Sequence, residues 1–219
     1  MNMLGQHTFA AFLFDMDGTL TDSIAAAERV WTRWAQSKGL NVEELLASIH
    51  GVRCVDTIRR LNLPGVDPER EAELIAQAET NDVAGVVCIE GAARFLAALP
   101  ADRWAVVTSA PRLLAERRIQ AAGLPLPRIM VAAEDVERGK PAPDCFLLAA
   151  RRLGVKPEQC LVFEDAPAGI AAAEAAGAKV MVITATHKHS LATPYPSLNS
   201  YDAYGISINE QGHLLLRAR

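Results

Sequence analysis

The chain has 219 residues, with 22 Lys+Arg against 26 Asp+Glu for a formal net charge of −4, and 50% of its residues are hydrophobic. That length suits one large domain or a core with a smaller insert, and the hydrophobic share excludes a disordered chain. The mild acidity argues against a broad basic surface for nucleic acid or anionic lipid. Cys54, Cys88, Cys145 and Cys160 lie too far apart for a metal-binding pattern and read as buried free thiols. Met1 to Thr8 lacks a basic segment followed by an apolar core, and no apolar run approaches the roughly 20 residues needed to span a bilayer. A cytoplasmic, reducing location and no membrane partner are therefore expected.

In chain order, Thr8–Phe14 (TFAAFLF) reads as a buried strand, its near-continuous hydrophobicity suggesting a parallel neighbour on each side and cover on both faces. Residues 21–89 then run through several helical segments before another core strand appears. The first, about Ile24–Lys38, places Val30, Trp31 and Trp34 on one apolar face, as the core of an inserted helical domain rather than a ligand platform. From residue 90 onward helix and strand alternate. Helices are predicted at Ala92–Leu99, Arg112–Ala122, Asp144–Leu153 and Ile170–Ala176, and strands at Trp104–Thr108, Arg128–Ala132, Cys160–Phe163 and Lys179–Ile183. Gly123, Gly154 and Gly177 stand where three of these helices should stop. The alternation predicts a doubly wound α/β sheet. Its parts would be residues 1–20 and 90–219, joined to the helical insert 21–89 through hinges at Gly18 and in the Gly85–Gly91 region. Ile206, Ile208 and Leu214–Leu216, with a turn near Gln211–Gly212, read as an edge hairpin.

The first strand ends in Asp15-Met16-Asp17-Gly18-Thr19-Leu20, which sets two carboxylates at the strand edge where open α/β sheets bind ligands. Helix capping is the competing reading of such Asp-Gly pairs. Thr108-Ser109 ends the second core strand, Gly139-Lys140-Pro141 follows the third and Glu164-Asp165 ends the fourth, so a parallel sheet would gather all of them on one edge. Lysine occurs only at positions 38, 140, 156, 179 and 188, which favours a specific task for Lys140 over a solvated loop cation. Hydroxyls, loop amides, one lysine and four carboxylates suit phosphoryl transfer to a carboxylate with the help of a divalent cation.

DMDGTL at 15–20, TS at 108–109, GKPAPD at 139–144 and EDAPAG at 164–169 resemble, in order and spacing, the four motifs of the haloacid dehalogenase superfamily of aspartate-nucleophile phosphatases. The interval from Leu20 to Glu90 is similar to the helical cap that one branch inserts after the first motif. Within that branch VWTRWA at 30–35, IHG at 49–51 and VFEDAPAGIAAAEAAG at 162–177 resemble bacterial sugar and sugar-alcohol phosphatases, and yeast glycerol-phosphate and 2-deoxyglucose-6-phosphate phosphatases. Glu90 stands where proline is usual and Ala110 where glycine is frequent.

The resemblance implies a Rossmann-like core with an α-helical cap, and a Mg²⁺-dependent hydrolysis of small sugar or polyol phosphate monoesters by a monomer. It implies that Asp15 is the nucleophile that forms an aspartyl phosphate. Asp17 would protonate the leaving oxygen and then take a proton from water, so it must start protonated, with repulsion from three neighbouring carboxylates expected to favour that. Thr108 would hydrogen-bond a phosphoryl oxygen beside the Ser109 and Ala110 amides, and Lys140 would bridge phosphate and Asp15. Mg²⁺ would be held by Asp15, the Asp17 carbonyl, Asp165 and Glu164, the last directly or through water, within six oxygen ligands. His50 and Arg53, in a cap loop between two helices, are candidate substrate contacts, with helix end and surface cation as the competing readings. A β-phosphoglucomutase-like isomerase would use the same Asp15 and Asp17 and stays open as an alternative. Residues 39–89 hold no lysine for the Schiff base of a phosphonate hydrolase, and a dehalogenase has no need of the acid at Asp17.

Overall fold

The computed structural model describes residues 7–187 and 193–219. Met1–Gln6, which carry most of the reading on a leader segment, and Lys188 lie outside the described residues. The chain opens with β1 (Thr8–Phe9), β2 (Ala11–Phe14) and β3 (Thr21–Asp22), and passes into helices α1 (Ile24–Ser37), α2 (Val42–Ile49), α3 (Cys54–Leu61) and α4 (Pro68–Asn81). It returns through β4 (Val87–Cys88) to α5 (Ala92–Ala97), β5 (Trp104–Val107), α6 (Arg112–Ala121), β6 (Met130–Val131), α7 (Asp144–Leu153), β7 (Cys160–Glu164), α8 (Pro167–Ala175) and β8 (Lys179–Ile183). The tail adds β9 (Ser197–Leu198), β10 (Tyr204–Ile208) and β11 (Leu214–Ala218).

Six strands form one sheet in the order β6-β5-β2-β7-β8-β9, and every adjacent pair is parallel. From β2 the chain builds outward through β5 and β6, then crosses back to β7 and continues through β8 and β9. The switch point therefore lies at β2, between β5 and β7, and the crevice for a ligand opens beyond their carboxyl ends. The period-2 pleat of β2 sends Phe12 and Phe14 into an aromatic core with Phe95, Phe163 and Tyr201, while Ala11 and Leu13 pack on the opposite face against Phe146, Ala149 and Val162. Burial on both faces explains why these strands read as unbroken apolar runs.

Two expectations are corrected here. The run Thr8–Phe14 is not one strand: β1 pairs antiparallel with β11 in a separate three-stranded sheet, and β2 starts after Ala10. A continuous apolar run carries no mark of such a change of sheet, because Phe9 of β1 and all of β2 are buried. The hairpin of β10 and β11 forms with Tyr204 paired to Ala218 and Ile208 to Leu214, but it belongs to that small sheet and not to the edge of the large one. α8 also begins three residues before the predicted Ile170, since Pro167 suits the first turn of a helix.

Helices α1 to α4 bury Val30, Trp31, Trp34, Leu45, Ile49, Ile58 and Ile75 in a hydrophobic cluster of their own. Their starts follow local chemistry: the Asn41 side chain accepts from the Glu43 and Glu44 amides, and the Asp67 side chain from those of Glu69 and Arg70 with Pro68 in the first turn. The two passages between cap and core pair with each other, Thr21 with Cys88 and Asp22 with Val87. Among the described residues no helix is long and apolar enough to cross a membrane.

Candidate active site

Asp15 follows the last residue of β2, Glu164 is the last of β7 and Asp165 follows it, so neighbouring parallel strands deliver three carboxylates to one point. Ligand oxygens of these three residues lie within 4.8 Å of one another, and all three residues are buried. Lys140 reaches in from the loop before α7, its Nζ donating to Asp15 Oδ1 at 2.6 Å, Glu164 Oε1 at 2.7 Å and the Val107 carbonyl at 3.1 Å. Burial pushes the Asp15 carboxyl up to about 7, against the pull of Lys140 and with the push of Glu164. Burial, Glu164 and Asp15 likewise raise Asp165 well above the usual carboxylate range. Burial works against the Lys140 ammonium, but Asp15 and Glu164 outweigh it and hold its pKa above the ordinary lysine value.

Glycine makes this packing feasible at two points. Gly18 adopts φ +83°, and a Cβ there would stand 2.1 Å from Asp165 Oδ2. A Cβ on Gly169, in the first turn of α8, would collide with the Glu164 carboxylate. The loop carbons of two motifs are thus kept small so that carboxylates from two strand ends can share one space. Three carboxylates and one lysine leave an excess of buried negative charge, which fits a hard divalent cation held through oxygen.

Thr108, just beyond β5, is buried, and its Oγ1 accepts the Ala110 amide at 3.0 Å. That bond leaves the hydroxyl proton of Thr108 to donate, while the Ala110 amide expected to face a phosphoryl oxygen is turned to Thr108 instead. Ser109 Oγ donates to the Gly51 carbonyl of the cap loop at 3.0 Å, and a Cβ on Gly51 would meet Ala166 Cβ at 2.5 Å. The cap loop therefore rests directly on the loops that carry Thr108-Ser109 and Glu164-Asp165.

Asp17 stands apart from that carboxylate cluster, and the side chain expected to be held protonated by carboxylate neighbours is met by an arginine instead. Its Oδ1 accepts from Ser23 Oγ at 2.5 Å, and its Oδ2 pairs with Arg118 Nη1 at 3.0 Å. Arg118, from α6 of the core, also donates through Nη2 to Glu79 Oε1 at 3.0 Å, on α4 of the cap. Arg118 and Glu79 are buried, and burial moves the Glu79 carboxyl up to about 7 despite Arg118. Together with Trp31, His50 and Thr108, these residues line a cavity of about 80 Å³ between cap and core.

Arg118, Glu79 and Ser23 were not among the predicted site residues. A signal for two of them existed: Arg118 lies four residues after Leu114 and next to Ile119 on the buried face of α6, and Glu79 four after Ile75 on that of α4. Opposite charges on the apolar faces of two helices are expensive unless they meet. Trp31, assigned to the cap core, is buried there against Trp34 and also faces the cavity.

The two cap candidates part company. His50 lines the cavity, with its Nε2 3.9 Å from Glu28 Oε1. Arg53 is not brought to it: its guanidinium donates to Asp56 at 2.6 and 3.2 Å and to the Val136 carbonyl of the core at 3.1 Å. A carboxylate one helical turn ahead captures the arginine, which then ties cap to core beside Gly139.

The model of the haloacid dehalogenase-like hydrolases matches residues 9–177. Hexitol phosphatase A of Escherichia coli is 42% identical over 178 residues, spanning 80% of this chain and 82% of its own. Glycerol-1-phosphate phosphohydrolase 2 of Saccharomyces cerevisiae is 33% identical over 187 residues, 80% of this chain and 75% of its own. Among solved structures, that of CbbY from Rhodobacter sphaeroides in complex with phosphate superposes with a TM-score of 0.73 at 25% identity, covering 88% of this chain and 94% of that one. The chain belongs to the haloacid dehalogenase-like hydrolases. It is an enzyme, and its class is that of the phosphoric monoester hydrolases.

Proposed function

We propose that the enzyme is a Mg²⁺-dependent phosphatase of small sugar or polyol phosphates that works through an aspartyl phosphate on Asp15. The observation that carries this reading is the buried meeting of Asp15, Lys140, Glu164 and Asp165, one or two from each of three motifs, at the switch point of the sheet. Asp15 Oδ attacks the phosphorus and the bond to the leaving oxygen breaks, that oxygen taking the proton of Asp17. Asp17 then accepts a proton from water, whose oxygen attacks the same phosphorus and returns Asp15 as a free carboxylate with inorganic phosphate. Lys140 orients Asp15 and faces the charge on the transferred group, and Thr108 donates its hydroxyl to a phosphoryl oxygen. Asp15, Asp165, Glu164 and the Asp17 carbonyl would hold Mg²⁺, which supplies charge neutralisation between two anions.

The substrate class rests on the relatives, one a hexitol phosphatase and one a glycerol-1-phosphate phosphohydrolase, and on a cavity whose mixed lining of Trp31, His50, Glu79 and Arg118 suits hydroxylated carbon. Four free cysteines suit a reducing cytoplasm. A panel of sugar, polyol and nucleotide phosphates with Mg²⁺ tests the reading against Asp15→Asn as the blank. Phosphate release from sugar and polyol esters without a bisphosphate primer is expected. No release above the blank would end the enzyme reading, and turnover only with a primer would favour the mutase.

A further inference from the structure

The leaving-group side of the cavity has a charge pattern that bears on which esters can enter. Among the described residues that line it, Arg118 is the only arginine or lysine, and it is already shared between two carboxylates: Nη1 with Asp17 at 3.0 Å and Nη2 with Glu79 at 3.0 Å. Arg118 is 3% exposed, so it cannot turn to solvent, and its Nε is buried without a hydrogen-bond partner. Lys140 belongs to the phosphoryl side, where Asp15 and Glu164 hold it. Either carboxylate alone balances the guanidinium, so Arg118 has no positive charge to spare.

We propose that Glu79 is a specificity-determining residue: by occupying Arg118 it denies a second anionic group a binding partner, and so restricts the enzyme to phosphate esters whose leaving group is uncharged and hydroxylated. This rests on the phosphatase reading above. A hydroxyl can donate to the Glu79 carboxylate, so it exchanges its water for a protein partner without loss. A carboxylate or second phosphate would give up its hydration to meet the Glu79 carboxylate, with Arg118 already paired, which burial makes costly. The arrangement needs both domains, because Glu79 comes from the cap and Arg118 from the core, so it is complete only when the cap lies on the sheet edge as it does here. The same pattern weighs against the mutase alternative, which must bind a bisphosphate.

The test uses the full chain with Mg²⁺ and matched substrates: glycerol phosphate against phosphoglycerate, which exchanges a hydroxymethyl group for a carboxylate, and a hexose monophosphate against its bisphosphate. The wild-type enzyme should prefer the uncharged member of each pair by about 10²-fold in kcat/KM, as expected of a desolvated like-charge encounter. Glu79→Gln, which frees one edge of Arg118, should shrink that preference by about tenfold, chiefly through a lower KM for the anionic member, while Glu79→Asp should keep it. Equal turnover of both members by the wild type would overturn the proposal, and so would an unchanged ratio in Glu79→Gln that still hydrolyses glycerol phosphate. Should Glu79→Gln fail to fold, the wild-type ratios still decide the matter. Absence of phosphate release from every substrate, above the Asp15→Asn blank, would instead remove the phosphatase reading itself.

Discussion

The two halves of the candidate site are built in different ways. The phosphoryl half takes Asp15, Thr108, Glu164 and Asp165 from the carboxyl ends of adjacent parallel strands, with Lys140 from a nearby loop, all buried and fixed by the sheet. The leaving-group half takes Glu79 and His50 from the cap and Arg118 from a core helix, and it exists only where the two bodies meet. A sheet edge gives a rigid frame for a reaction that is the same for every substrate. A domain contact gives a surface that can change with the substrate while leaving that frame untouched.

If this division holds, substitutions should separate by half. Asp15→Asn removes the nucleophile and should lower kcat by roughly four orders of magnitude on any phosphate ester, as seen in steady-state phosphate release. Lys140→Met should abolish activity and also destabilise the fold by about 3–5 kcal/mol, because Asp15 and Glu164 would be left buried and unpaired. Urea denaturation checks this, and a variant as stable as the wild type would show that the lysine is not the counter-ion of the cluster. Excess chelator should stop turnover of every substrate, and Mg²⁺ added back should restore it and raise the melting temperature by binding the folded state.

In the other half, Arg118→Met removes one of the two side chains that orient Asp17 and should cost about 10²-fold on a polyol phosphate, within the usual range for general acid catalysis. On an aryl phosphate, whose leaving oxygen needs no proton, the loss should be much smaller. Equal losses would mean that Arg118 matters only for structure. Arg53→Ala should have the smallest effect, a destabilisation of about 1 kcal/mol from loss of the cap-to-core hydrogen bond. A rise in KM confined to sugar phosphates would instead place Arg53 on the substrate.

The same division explains how much could be read from the sequence. Asp15, Thr108, Glu164 and Asp165 each follow an apolar run, and the turn chemistry of DMDG and EDAP marks two strand ends, so both the strands and their convergence were legible. Lys140 stood out because the chain has so few lysines. Arg118 and Glu79 lie 39 positions apart in the last turns of two helices. Nothing in helical periodicity tells whether a charge on an apolar face is paired, snorkelling or misassigned. Their partnership depends on how the cap docks, which is a matter of packing between domains. Arg53 shows the opposite case: its loop position suggests a ligand contact, and Asp56 three residues on offers the guanidinium a carboxylate that no loop reading takes into account. The split of Thr8–Phe14 between two sheets was hidden because Phe9 of β1 and all of β2 are buried, and burial was what the apolar run reported.

The central claim is that Asp15 carries the phosphoryl group between substrate and water. Rapid acid quench during turnover of a polyol phosphate, followed by peptide mass spectrometry, tests it most directly. The account predicts a hydroxylamine-labile phosphoryl group on the peptide containing Asp15 and, with an aryl phosphate whose leaving oxygen needs no proton, more of it in Asp17→Asn, which lacks the base for the second step. Steady turnover with Asp15 unmodified at every quench time, in the wild type and in that variant alike, would contradict it.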